Sequence, residues 1–275
     1  MSAVNTTTQE ESHITKTVEA PSTEHTTKTS ESTEHKAGPH ISIKAEPVFT
    51  VNGFPVVNSL LLSWVTLVFF IGLVVKYNFD SRKKRKSSFF YFINFCLRSL
   101  FDFFESAMKE KTATYFGLLG AFFFFILLQN WSGLLPGVGS VLFHHSPLLR
   151  ANTADLNTTL ALGLISVASI QFFGITTLGV KSYLSKFFNF SSPIAFFVGI
   201  LEIVSELSRV LSFAFRLFGN IFAGEVLLSV VAFLIPVLVS FPFLLLETFV
   251  GIIQAVVFAM LSAVLINMAT TESHH

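Results

Sequence analysis

The sequence predicts an all-α polytopic membrane protein with about five membrane helices. Apolar residues make up 52% of its 275 residues, mean hydropathy is +0.66 and 34 residues are Phe, whereas charged residues make up only 13%. A soluble domain of this length does not need so much apolar sequence. One amphipathic segment predicts an additional interfacial helix, and a long apolar run near the C-terminus predicts a tilted helical hairpin.

Charge, cysteine content and motifs exclude several classes of protein. The net charge is +1, which gives no reason to expect a nucleic-acid partner. The single Cys96 excludes an internal disulfide and a cysteine-based metal site. The chain also lacks a GxxxxGK[ST] phosphate-binding loop. We therefore expect no metal, no cofactor and no catalytic residue.

Residues 1–48 predict a disordered polar extension that precedes a membrane domain of residues 49–275. The extension is rich in Ser, Thr, Glu, Lys and His and cannot bury enough apolar surface to fold. It also lacks the apolar core of a secretory signal peptide. Its histidines are about ten residues apart, which is too far for a metal-binding pair on one helix.

The first predicted span covers about residues 55–77. Five consecutive basic residues follow at 82–86 and mark the cytoplasmic side, which leaves the N-terminus outside. A nucleic-acid patch is the alternative explanation of this basic run. Residues 89–110 have helical periodicity with a polar stripe, so we predict a helix lying in the cytoplasmic interface. A soluble partner or another subunit could equally cover that stripe, which comprises Asn94, Arg98, Asp102, Glu105 and Lys109.

The second and third spans are predicted at about residues 114–135 and 156–180. The loop between them lies outside in this topology and contains His144 and His145, which could line a proton access path or simply be solvated. Asp155 directly precedes the third span and is suited to cap its first turn. Lys181 and Lys186 follow that span and agree with the orientation set by the first basic cluster.

The C-terminal hairpin is predicted from helices at about residues 194–235 and 243–269, with Pro236 and Pro242 forming the turn. The first helix would be about 63 Å long, roughly twice the hydrocarbon thickness. It must therefore tilt steeply. Tilting would also bring polar side chains along one of its faces to middle depth in the bilayer.

Charged residues inside this apolar helix indicate function. Each costs roughly 2.5–3.5 kcal/mol at the bilayer centre. At 100° per residue, one helix face carries Glu202, Ser205, Arg209, Ser212, Arg216 and Asn220, with Glu225 about 180° from Arg216. Arg216 keeps its proton, whereas carboxylates can both accept and release one. A permanent cation between titratable groups is typical of a proton path that contains an electrostatic barrier.

The motif around Arg216 resembles the subunit a family of F-type ATP synthases, the stator protein that faces the rotating ring of c subunits. The similarity rests on RLFGN at 216–220, AGE at 223–225, Glu202 fourteen residues before Arg216, and Gln254. ADLNTTL at 154–160 and the run 254–260 also match. The resemblance covers about residues 55–269.

The resemblance implies a non-catalytic, proton-translocating role with two half-channels. The external half-channel is assigned to Glu225 and Glu247 with Asn220, Gln254 and Asp155. The cytoplasmic half-channel is assigned to Glu202 with Ser205, and Arg216 separates the two. The implied partners are the c-subunit ring, the b subunits of the peripheral stalk, the lipid bilayer and the transported proton.

Several alternatives stay open at this stage. Some family members have His at residue 247, or His and Glu exchanged between 247 and 225. Here both residues are Glu, so they would share a proton, and Na⁺ coupling is also conceivable. Gln254 and Asn267 could instead form helix-to-helix hydrogen bonds. A stand-alone transporter or channel and a membrane-embedded hydrolase are the competing classes. The sequence lacks the repeated halves or catalytic groupings that these require.

The expected location is the bacterial plasma (inner) membrane, with the C-terminus in the cytoplasm. A thylakoid protein would show the same pattern of spans. Coupling ion and ring size are not encoded in this chain.

Overall fold

A computed structural model describes residues 47–51, 54–135, 138, 142–143, 146–147, 149–185, 187, 192–234 and 240–271. Nearly all of the predicted polar extension (1–48), together with His144, His145 and Pro236, lies outside these residues. Within the described part, five apolar segments are long enough to cross a membrane. The chain is thus an all-α polytopic membrane protein, as predicted.

The described chain begins with two short strands rather than directly with a helix. β1 (Pro47–Val51) and β2 (Phe54–Val57) pair antiparallel, with Val51 opposite Phe54. Pro55, which we expected at the start of the first span, therefore lies in β2. The first helix, α1 (Asn58–Arg82), starts three residues later and ends five residues later than the predicted span. The basic run consequently begins in its last turn.

α2 (Ser88–Met108) and α3 (Thr112–Gly133) are joined by a short 3₁₀ turn, Lys109–Lys111. Lys109 has a φ of 53°, which breaks the helical path between them. The side chains of the predicted polar stripe on α2 are all exposed, whereas Phe104 and Met108 on its other side are buried. This agrees with the predicted amphipathic character of α2, and its place in the interface remains a prediction.

The second half of the chain consists mostly of three long helices. After the short strands β3 (Leu142–Phe143) and β4 (Ser146–Pro147), a 3₁₀ turn at Asn152–Ala154 leads into α4 (Leu156–Leu178). Gly179, with a φ of 83°, turns the chain into the six-residue α5 (Val180–Ser185), which we did not predict.

The hairpin consists of α6 (Pro193–Leu234) and α7 (Ser240–Ala269). α6 agrees with its predicted bounds to within one residue at each end. We expected Pro242 in the turn, but it lies in the first turn of α7. Proline is tolerated there because the first N–H groups of a helix have no acceptor within the helix.

The helices pack through a core in which α4 and α6 approach closely. A Cβ atom at Gly163 would lie 2.8 Å from the carbonyl oxygen of Val210, so glycine is needed at this crossing. Phe213 of α6 packs against Phe258 of α7, with ring centroids 4.8 Å apart. Ser166 of α4 and Ser262 of α7 share a buried hydrogen bond of 2.8 Å. Small residues and polar pairs of this kind hold helices together in lipid, where apolar side chains gain little by self-association.

The corner between α2 and α3 holds the C-terminal end of α7. Asn267 Nδ2 donates to the carbonyl oxygen of Ala107 at 3.0 Å, so the helix-to-helix role considered for Asn267 is present. Lys111 Nζ donates to the carbonyl oxygen of Thr270 at 3.1 Å and to the hydroxyl of Thr271 at 2.9 Å. A cation at a helix C-terminus also complements the helix dipole.

Candidate functional site

The polar face predicted on α6 lies on one continuous helix. Because α6 runs unbroken from Pro193 to Leu234, side chains three or four residues apart point in similar directions. Glu202, Ser205 and Arg209 are half-buried at the N-terminal part of this face. Ser212, Arg216 and Asn220 are exposed at its middle.

Arg216 occupies the exposed side of α6, opposite the residues that pack into the core. Its neighbours Ala214 and Leu217 are buried, whereas Phe215 and Arg216 face outward. No described carboxylate forms an ion pair with Arg216. Among the residues that the structure describes, its guanidinium thus faces outward without an anionic partner.

Glu225 forms an ion pair with Arg150, a residue of the segment between α3 and α4. Arg150 Nε donates to Glu225 Oε1 at 3.1 Å, and Arg150 Nη2 donates to Glu225 Oε2 at 3.1 Å. Two parallel hydrogen bonds make this a bidentate pair, the strongest geometry for arginine and carboxylate. The Arg150 side chain is only 6% exposed, against 32% for Glu225.

The segment that carries Arg150 is fixed by its own contacts. Ala151 packs tightly against the backbone of Gly133 at the end of α3. Thr158 Oγ1 donates to Asn152 Oδ1 at 2.9 Å, and the 3₁₀ turn Asn152–Ala154 is buried. Arg150 therefore projects from an anchored turn.

Glu247 on α7 is buried against the backbone of α6. Its carboxylate lies over Gly224, where even a Cβ atom would overlap it. Glu247 Oε1 is buried and has no hydrogen-bond partner among the described residues, and no described cation pairs with this carboxylate. The residue is 8% exposed. The surroundings of Glu247 thus differ from those of Glu225, although Glu247 lies over Gly224, which directly precedes Glu225 on α6.

Asn130 and Gln254 are also buried on the elements that pack around Glu247. Gly251 and Gln254 follow Glu247 by four and seven residues and share its helix face. Asn130 Nδ2 donates to the carbonyl oxygen of Gly251 at 3.2 Å, and Asn130 Oδ1 is buried without a partner in the described structure. Buried oxygens without a partner among the described residues, here Asn130 Oδ1 and Glu247 Oε1, indicate places that can accommodate water.

Asp155 caps α4, which is one of the two roles predicted for it. Its Oδ1 accepts from the backbone N–H of Asn157 at 3.0 Å. Its Oδ2 accepts from Ser59 Oγ at 3.3 Å, and Asp155 is 4% exposed.

A second polar cluster surrounds the N-terminal part of α6. Arg209 pairs with Glu206 one turn away on α6, and Glu206 Oε2 is buried without a hydrogen-bond partner among the described residues. Tyr183 of α5 donates from its hydroxyl to Gln171 Oε1 of α4 at 2.5 Å. Burial and, to a lesser degree, the negative charge of Glu206 raise the pKa of Tyr183 to about 12.

The predicted site residues divide into two groups on either side of Arg216. Glu202 precedes Arg216 by fourteen residues, about 21 Å along the helix axis, and Glu225 follows it by nine, about 14 Å. Glu247 lies against Gly224, the residue before Glu225, whereas Glu202 and Ser205 lie nearer the N-terminal end of α6. In the described part of the chain, no three His, Cys, Asp or Glu side chains form a group that could hold a metal ion.

Sequence reasoning did not single out Arg150, Asn130 or Tyr183 as site residues. Arg150 did carry a signal, because it is a lone arginine in a loop that the predicted topology places outside, away from the basic clusters. Asn130 and Tyr183 carried no comparable signal. Asn130 is one of several polar residues at a span end, and Tyr183 lies in a helix too short to predict.

Comparison with known families gives an extended match. The family model described as ATP synthase A chain matches residues 60–267, which is most of the chain. The matched region includes α6, all but the last two residues of α7, and every candidate site residue.

Proposed function

Because the chain belongs to the ATP synthase A chain family, and is subunit a of the proton-translocating membrane sector, we propose that Arg216 separates two proton half-channels at the surface of a c-subunit ring. In this proposal the chain itself catalyses no covalent reaction. It couples proton flow to rotation, and through rotation to ATP synthesis elsewhere in the complex.

The proposal rests on Arg216, which is exposed and has no ion-pair partner among the described residues. A guanidinium in an apolar helix costs several kcal/mol unless an anion compensates it, and no described residue of this chain does so. A carboxylate on a neighbouring c subunit would supply the missing negative charge. Because Arg216 stays protonated, it can attract that carboxylate and still prevent a proton from passing directly between the half-channels.

The external half-channel comprises Glu225 and Glu247 with Asn220, Gln254 and Asp155. Two contacts support this assignment: the Glu247 carboxylate lies against Gly224 of α6, and Asn130 of α3 donates to the carbonyl oxygen of Gly251, one turn beyond Glu247 on α7. A proton arriving there passes to the c-subunit carboxylate, which can then enter lipid in neutral form. The cytoplasmic half-channel comprises Glu202 and Ser205, on the opposite side of Arg216 along α6.

Charge distribution supports the orientation that we propose. Residues 82–86 and Lys181 lie at helix ends that the positive-inside rule assigns to the cytoplasm. The N-terminus is then outside and the C-terminus inside. The proposed location is a bacterial plasma membrane, and the b subunits of the peripheral stalk are the proposed further partners.

The experiment that tests the proposal measures proton flux driven by a diffusion potential in vesicles containing the assembled membrane sector. The Arg216→Ala sector should lose coupled flux, and inverted vesicles of the complete enzyme should fail to build an ATP-driven proton gradient. Arg98→Gln is the matched control, because it removes an exposed arginine from α2 without touching α6.

Two results would overturn the proposal. One is an intact ATP-driven gradient in the Arg216→Ala enzyme. The other is flux through this chain alone that is indifferent to c subunits, which would indicate a channel or transporter.

A further inference from the structure

Glu225 and Glu247, the two glutamates of the proposed external half-channel, have different electrostatic surroundings. Glu225 accepts hydrogen bonds from both Nε and Nη2 of the Arg150 guanidinium. Glu247 has no described cation beside it and one buried oxygen without a partner. Two glutamates in such different surroundings are not equivalent proton carriers, even though a sequence with Glu at both positions suggests a shared proton.

Arg150 is suited to hold Glu225 in one fixed arrangement. Its turn is anchored at Ala151 against Gly133 and at Asn152 through Thr158, and the Arg150 side chain is almost fully buried. The cation of this pair is buried although Glu225 is partly exposed, so breaking the pair is costly because the buried charge of Arg150 is left uncompensated. A carboxylate in such a pair exchanges protons poorly, since losing its charge would strand the cation.

We propose that Arg150 is a positioning residue that keeps Glu225 in a fixed ion pair, so that proton exchange on the external side is carried by Glu247. This inference rests on the proposed function and divides labour within its external half-channel. The charged groups on described elements packed against this end of α6 are Arg150, Asp155 at the start of α4, and Glu247 on α7. Asp155 is engaged in capping α4 and by Ser59, which leaves Arg150 and Glu247 as the groups that decide the pH response.

The test compares proton conduction over a pH series in vesicles that contain the assembled sector. The pH profile of the unmodified sector should show one ionisation on the external side. Arg150→Gln leaves Glu225 without its cation, so a second ionisation should appear and conduction should fall about tenfold, equivalent to 1.4 kcal/mol. Arg150→Gln/Glu225→Gln should remove the second ionisation and regain part of the lost rate. Glu247→Gln should remove the remaining ionisation.

Arg150→Lys and measured assembly guard against a purely structural effect. Lysine retains the charge but not the bidentate geometry, so its profile should keep a single ionisation with a smaller loss of rate. The amount of this chain that copurifies with the c-ring reports assembly for every variant, and rates are expressed per assembled sector. If Arg150→Gln does not assemble, the Arg150→Lys and double-variant profiles decide.

Two outcomes would overturn the inference. One is an Arg150→Gln profile identical to that of the unmodified sector, because Arg150 would then be merely structural. The other is a Glu247→Gln sector that still shows the original ionisation. If either result is obtained while proton flux still requires c subunits and Arg216, the proposed function is retained. Flux independent of c subunits would instead remove the proposed function itself.

Discussion

Replacing Gly224 by alanine tests how closely the Glu247 carboxylate must be held against α6. A Cβ atom at residue 224 would overlap both carboxylate oxygens and the carboxyl carbon of Glu247. Ordinary van der Waals contact begins at 3.4 Å. The carboxylate must therefore move away by about 1 Å or more. Misplacing a reacting group by about this distance can slow a reaction about a hundredfold. Glu247 is flexible, and alanine favours a helix over glycine by about 1 kcal/mol, so α6 should still form.

We therefore expect Gly224→Ala to assemble normally and to conduct protons about tenfold to a hundredfold more slowly. The assay is the diffusion-potential measurement in vesicles, with rates expressed per assembled sector. Gly117→Ala on α3 is the matched control, because no heavy atom lies within 4 Å of the added Cβ. It should change neither assembly nor rate.

A double variant distinguishes displacement of Glu247 from a general distortion of the hairpin. If Gly224→Ala acts through this carboxylate, Gly224→Ala/Glu247→Gln should be no slower than Glu247→Gln alone. Additive losses in the double variant, or an unimpaired rate in Gly224→Ala, would refute the reasoning.

Two further predictions concern stability. Ser262→Ala removes the buried hydrogen bond between α4 and α7 and should lower the free energy of unfolding in detergent by about 0.6 kcal/mol, up to roughly 1.7; Ser169→Ala, which removes only a bond within α4, is the control, and equal losses in both would contradict the prediction. Tyr183 has its pKa raised from 10.0 to about 12, so the folded chain binds more protons than the unfolded chain between those values. Thermal stability should therefore decline as pH rises from 10 towards 12, and Tyr183→Phe should flatten that decline; an equally steep decline in the phenylalanine variant would exclude Tyr183 as its source.

The helices were largely predictable because each signal lies within one stretch of chain. α6 is uninterrupted by proline, and its bounds agree with prediction to within one residue. The start of α1 was less predictable, because an apolar segment that contains Pro55 fits a strand as well as a helix end. Helical periodicity does not predict the short α5, because α5 depends on the backbone conformation of Gly179 and on the packing of Tyr183 against Gly174.

The candidate site was only partly predictable for a similar reason. Helical spacing correctly groups the residues of a single face, such as Glu202, Arg209 and Arg216. It cannot pair Arg150 with Glu225, which are 75 residues apart on different elements. Equally, two glutamates at residues 225 and 247 look alike in sequence, and only packing distinguishes the paired one from the one lying over Gly224.

The exposed side of α6, which carries Arg216, affects how a neighbouring protein could move along it. Large apolar side chains cover most of that side, including Leu207, Leu211 and Phe215. Contacts between such groups are non-directional and individually worth only about 0.1–0.2 kcal/mol per atom pair. A neighbouring protein that moved across these apolar side chains would cross only small energy barriers. A negatively charged group on that neighbour would be held most strongly at Arg216.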